Sequence, residues 1–154
     1  MDFIFEVLPN TRAALKKIIE SYTLEDLNKI PEGFNNNIIW NIGHIVVTEQ
    51  LLIYKLSGLQ PMVSDDIINK YRKDSKPNGN ASQTEVNEIK DLLFATIEKT
   101  KNDYANNAFK GYKEYTVSTT GNTLKNVDEA LSFVLFHEGI HMGYILALKR
   151  AIKN

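Results

Sequence analysis

The chain carries three histidines, His44, His137 and His141, and the last two stand four residues apart in the segment HEGIH. On a helix that spacing puts both imidazoles on one face, one turn apart, as a metal ion needs if it is to take two nitrogens from one element. HEGIH also matches the H-E-x-x-H pattern of zinc peptidases, in which the glutamate acts as general base. The rest of the peptidase pattern is missing. One class needs a third histidine six residues past the second, where this chain has Ala147, and another needs a downstream acidic ligand, whereas no Asp or Glu follows His141. The third ligand available is His44, far upstream on another element.

Helical periodicity places His137 and His141 with Val134, Tyr144, Ile145 and Leu148, and places His44 with Trp40, Val47 and Leu51. All three imidazoles therefore point toward apolar faces. A lone histidine there is more often a hydrogen-bonded core residue than a ligand. Three of them, with little else polar to satisfy them, fit one metal ion with coordination positions left open for water or substrate. Three neutral imidazoles suit zinc, nickel, copper or iron alike. Glu138 falls about 100° round the helix from His137. A solvated carboxylate is its plain reading, and a base flanking the site is the sharper one. Trp40, Asn41 and Thr48, each one turn from His44, are the candidates for lining a pocket beside the metal, together with the Thr-rich segment before the last helix; Asn41 is placed to orient a ligand or water.

The elements that must position these residues are legible as four long helices. The first spans about Phe3 to Tyr22, with Leu8, Leu15, Ile18 and Ile19 as its stripe; the second spans about Asn37 to Ser57 and stops at Gly58. Ser82 with Glu85 opens the third, and Asn126 with Glu129 opens the fourth, which runs to about Ile152 and ends basic. TLEDLNKIPEGF and SDDIINKY read as short helical turns, KDSKPNGN as a loop, and GYKEYTVSTTGNT as the one place for a short strand. The pattern predicts an all-α four-helix bundle, in one domain over residues 1–154.

Composition limits what such a bundle does. With no cysteine there is no disulfide, thiolate nucleophile or thiolate ligand, which suits a reducing compartment. Net charge is −1 with Lys and Arg dispersed, so neither nucleic acid nor an anionic membrane is indicated as a partner. The N-terminus lacks the pattern of a signal peptide, and apolar runs are interrupted short of a membrane span, so the expectation is a cytoplasmic protein.

A histidine within NNIIWNIGHIVVTEQLL and a pair within LSFVLFHEGIHMGYILALKRAI, set in this order of helices, resemble the DinB family of bacterial proteins over nearly the whole chain. The resemblance implies a four-helix bundle with a long crossover connection between its second and third helices. It implies a divalent metal, commonly zinc or nickel, on His44, His137 and His141, and a homodimer. Many members have glutamine where this chain has Tyr144, which reads either as a phenol near the site or as core. Relatives include metal-dependent transferases that attach low-molecular-weight thiols to electrophiles, and an isomerase with such a thiol as cofactor. That implies a small-molecule substrate, a thiol or water activated by the metal, and Glu138 and Tyr144 as candidate proton carriers. Small-molecule hydrolysis uses the same residues, and a non-catalytic, stress-associated metal-binding bundle is the alternative from another class.

Overall fold

Where each helix begins follows from local capping chemistry. In the computed structural model, which describes residues 1–153, α1 spans Asp2–Ser21 and α2 Leu24–Asn28. Then α3 spans Ile38–Gln50, α4 Asp65–Tyr71, α5 Gln83–Ala105 and α6 Val127–Lys153. The side chains of Thr23, Asn37, Ser64 and Ser82 each accept a first-turn N–H of the helix that follows, and Asn126 does the same for Glu129. Glu129 in turn accepts from the Lys125 N–H, so the α6 start is closed from both sides. Glu85 does not complete the equivalent box; its carboxylate is taken by Lys70 and Tyr71.

The second long helix departs from expectation in one respect. After Gln50 its α-helical bonding widens into a π turn over Leu51–Lys55, with the Leu56 N–H reaching the Leu51 carbonyl at 3.2 Å. The chain then ends at Gly58 in the left-handed conformation, φ 74°, as the glycine position suggested. Single π turns recur at functional sites, and this one borders the cavity described below.

Side-chain contacts define how the four long helices run. Arg12 meets Leu93 and Thr96 while Phe5 meets Tyr104, so α1 and α5 are antiparallel. Glu49 meets Thr100 and Tyr54 meets Asp103, so α3 and α5 are parallel neighbours. A parallel pair of consecutive bundle helices cannot be joined by a tight turn. The chain between them, which includes α4, is therefore the long crossover connection, and α6 packs on α1 and α3. Before α6, Tyr115–Thr116 (β1) and Thr123–Leu124 (β2) pair antiparallel as Tyr115 with Leu124 and Thr116 with Thr123, the short strand that the Thr-rich segment foreshadowed.

Two apolar clusters fill the bundle, one around Leu15, Ile42, Ile89 and Ile145, the other around Leu8, Ile53, Ile97 and Leu131. A polar layer lies between them. Arg12, Glu49, Gln50, Thr96, Thr100 and Glu138 are all at most 1 % exposed. Arg12 donates through Nε and Nη2 to Glu138, and through Nη1 to the Leu93 carbonyl and Thr96. Thr100 and Gln50 donate to the Glu49 carboxylate. Arg12 on α1 thus joins Glu138 on α6 and Thr96 on α5, and Thr100 on α5 joins Glu49 on α3, so the layer ties all four long helices together.

One expectation about α6 is corrected here. It is long and apolar enough, by length and composition, to cross a membrane. Within this fold its Leu131, Val134, Ile145 and Leu148 are core residues and its histidines face α3.

Candidate metal centre

His44 on α3 and His137 and His141 on α6 come together in the cleft between those two helices, with one ligand nitrogen from each within 4.8 Å of the others. Their ring centroids are 4.4 to 5.1 Å apart. The i, i+4 pair supplies two nitrogens from one helix and the facing helix supplies the third, as the spacing required.

Outer contacts decide which nitrogen each ring presents. His44 Nδ1 donates to the Tyr71 carbonyl at 2.7 Å, which leaves Nε2 with its lone pair on the side of the other two histidines. His141 Nδ1 donates to Asn41 Oδ1 at 2.8 Å, again freeing Nε2. Asn41 is itself fixed, its amide donating to Asn36 Oδ1 and to the Asn37 carbonyl. Trp40 stacks on the His44 ring at 4.8 Å with an interplanar angle of 9°, and its indole N–H donates to Ser75.

The Tyr71 carbonyl reaches His44 because Gly43 has no side chain. A Cβ at Gly43 would lie 2.5 Å from the Tyr71 ring. Tyr71 is held at its other end by its hydroxyl, which donates to Glu85 on α5. The crossover connection thus reaches the histidine cluster, and the glycine before His44 makes room for it.

Electrostatics suit metal ligation. Burial pushes His137 down to about 3, with His141 and His44 adding to the shift, and pushes His141 down to about 4, with His44 adding. Burial also lowers His44, against the opposing hydrogen bond to Tyr71. At neutral pH all three are therefore neutral rings with lone pairs to offer.

A cavity of about 360 Å³ opens from the histidines toward solvent. Its walls are mainly apolar, from Leu51, Leu52, Leu56, Val117, Phe133 and Ile140, with Lys55 and Lys73 also lining it and Ser118 and Thr119 contributed by the hairpin. Thr48 lines it too, its hydroxyl 3.3 Å from His44 Nε2. Of the three residues expected to line a pocket beside the histidines, only Thr48 lines this cavity. Trp40 and Asn41 lie behind the histidines and orient them.

The two candidate proton carriers are placed elsewhere. Glu138 is not solvated but 1 % exposed, and its carboxylate turns to α1, where it accepts from Arg12 and from the Thr11 hydroxyl. It does not line the cavity, so the peptidase base role suggested by the letters HEGIH has no geometric support. Tyr144 packs edge-on against Phe34 at 5.5 Å, at the margin of the apolar core, and does not line the cavity either. Arg12 was missed by the sequence reading, although one signal pointed to it: it stands on the same stripe as Leu8, Leu15 and Ile19.

The donor set fits a divalent metal: three neutral imidazoles, two with their second nitrogen anchored, converge at the floor of a cavity. The fold is shared with a solved structure titled as that of a conserved protein from Enterococcus faecalis, at 16 % identity and a TM-score of 0.65, covering 98 % of this chain and 95 % of that one. No functionally curated protein matches the sequence. The family profile of the DinB superfamily matches residues 8–145, which takes in all three histidines and the helices that carry them. This chain belongs to the DinB superfamily.

Proposed function

We propose that this protein is a metal-dependent enzyme acting on small molecules, of the type that joins a low-molecular-weight thiol to an electrophile. The observation that carries the reading is the continuity of the three-histidine cluster with an apolar cavity that reaches solvent. A binding bundle that only sequesters metal has no use for such a cavity. Zinc or nickel, when bound, would supply a Lewis acid that lowers the pKa of a thiol or water.

The chain's own residues do the rest. His44, His137 and His141 hold the ion, while Tyr71 and Asn41 orient two of the rings. Leu51, Leu52, Phe133 and Ile140 exclude water from the reacting atoms and favour an apolar electrophile. Lys55 and Lys73 favour an anionic substrate. The thiol comes from the small molecule, since the chain has no cysteine, and such thiols are kept reduced in the cytoplasm, where this reading places the protein. Among the residues lining the cavity, the Thr48 hydroxyl is the one beside His44 Nε2, so it rather than Glu138 or Tyr144 is positioned to pass a proton.

The test is elemental analysis of untagged protein purified without chelator, with His137→Ala as control, followed by assays of thiol consumption with simple electrophiles. About one transition metal per chain, lost in the variant, together with metal-dependent thiol consumption, is the expected result. Failure of both proteins to take up metal after incubation with zinc or nickel would remove the reading. Metal uptake without thiol consumption, but with ester or amide cleavage, would move it to a hydrolase.

A further inference from the structure

A second cavity, of about 470 Å³, lies between α3, α4 and the loop of residues 76–80. Trp40 and Tyr71 line it but not the cavity at the histidines, whereas His44 lines only the latter. Those two residues therefore form a shared wall, since Trp40 stacks on His44 and the Tyr71 carbonyl accepts from His44 Nδ1. The loop is fixed at both ends, so the cavity is part of the fold. Ser75 is bonded to the Lys70 and Arg72 carbonyls and to the Trp40 indole, and Ala81 exchanges two hydrogen bonds with the Asn28 carboxamide.

What the walls offer decides the occupant. Lys70 and Glu85 neutralise each other in an ion pair of 2.9 Å, and the remaining charges, Asp66 and Lys76, are of opposite sign. A net anion or cation gains little from so balanced a set, in contrast to the histidine cavity, whose charged wall residues are both lysines. The carboxamides of Asn28 and Asn37 are committed to holding the wall together. Those of Asn69, Asn78 and Asn80 make no hydrogen bond within the described residues, and each offers two donors and an acceptor to the cavity. Beside them Ile39, Trp40 and Tyr71 supply a patch of carbon.

We propose that this cavity binds a neutral, polyhydroxylated small molecule of the monosaccharide class, and that its occupant alters the metal affinity of the histidines through Trp40 and Tyr71. Hydroxyls both donate and accept, as the three free carboxamides require, and a pyranose ring has C–H groups to set on the carbon patch. The volume falls within the range of small-molecule sites. The sugar site is independent of the catalytic reading; the coupling rests on the histidines taking metal.

Trp40 is the only tryptophan of the chain, so its emission reports on the shared wall. The full chain is titrated with glucose, galactose and mannose, with glucuronate and glucosamine as charged controls of similar size, and followed by tryptophan emission and by saturation-transfer NMR of the sugars. At least one neutral sugar should bind saturably. Its affinity should fall at least about tenfold when Asn69→Leu and Asn78→Leu are combined, both positions being exposed. Circular dichroism checks the fold of that double variant, and Asn80→Leu is the independent second one. Saturating sugar should also shift the zinc dissociation constant about fivefold or more, measured against a chromogenic chelator. No binding of any neutral sugar in either measurement, binding unmoved by both variants, or preference for a charged control would overturn the site. Sugar binding with zinc affinity unchanged would overturn the coupling. A chain that binds sugar yet takes up no zinc loses the metal reading and the coupling together, while the sugar site stands.

Discussion

His141 and Asn41, a hundred residues apart in sequence, are joined by a 2.8 Å hydrogen bond from the imidazole Nδ1 to the side-chain carbonyl. The bond sets the tautomer of His141 and aims its other nitrogen at His44 and His137. Asn41→Ala should therefore raise the dissociation constant for zinc by about 10- to 100-fold, as loss of such supporting contacts does in metal sites. Competition with a chromogenic chelator measures it. Unchanged affinity in a folded variant would show that the ring needs no such anchor.

Gly43 is required by Tyr71 rather than by its own helix. A methyl at Gly43 collides with the Tyr71 ring. Gly43→Ala should cost about 1–3 kcal/mol and weaken metal binding, because displacing Tyr71 withdraws the carbonyl that anchors His44. Adding Tyr71→Ala restores space, so the double variant should be destabilised by less than the sum of the two single changes in a denaturation cycle. Strict additivity would mean that the clash is relieved elsewhere.

Arg12 holds Glu138 inside the bundle, both at most 1 % exposed. Arg12→Met leaves a buried carboxylate without its cation and should cost about 3–5 kcal/mol. Replacing both, Arg12→Met with Glu138→Leu, removes the stranded charge and should recover much of that loss. If urea denaturation finds the double variant less stable than the single, the ion pair is not the source of the effect.

Glu49 should make stability fall as pH rises. Burial holds its carboxyl above the ordinary value of 4.5, with Arg12, Gln50 and Thr100 only partly opposing the shift. In the interval above 4.5 the folded chain keeps a proton that the unfolded chain has released. The contribution is thus fully present below the unfolded value and is lost as pH climbs toward the folded one. Glu49→Gln should show a shallower fall in denaturation free energy than the parent chain as pH rises above 4.5. Equal slopes would mean that Glu49 ionises in the folded state as readily as in the unfolded one.

Much of the architecture was legible without coordinates. The stripe of the first helix and the N-caps Ser82 and Asn126 were read from residue types and spacing alone and stand as read, whereas the Glu85 half of the pair at Ser82 does not form. Such features are local: a serine accepts from an N–H three residues on, and apolar residues at helical spacing share a face whatever they meet. The π turn after Gln50 was not legible, because a single wider turn leaves no composition signal in a run such as LLIYK.

At the site the division is the same. His137 and His141 were matched by their spacing, and His44 by its apolar face and by elimination, so the cluster that could hold a metal was contained in the sequence. Periodicity gives the direction in which a side chain leaves its helix, but not what stands opposite. That is why Glu138 was read as solvated or as a base flanking the site when Arg12, 126 residues away, lies across from it, and why Asn41 and Trp40 were assigned to a pocket they stand behind. The sequence by itself determined which residues can bind metal and which helices carry them. Only the packing of α1, α3 and α6 against one another decided which polar groups those residues meet, because a neighbour brought by the chain's return path leaves no trace in local spacing.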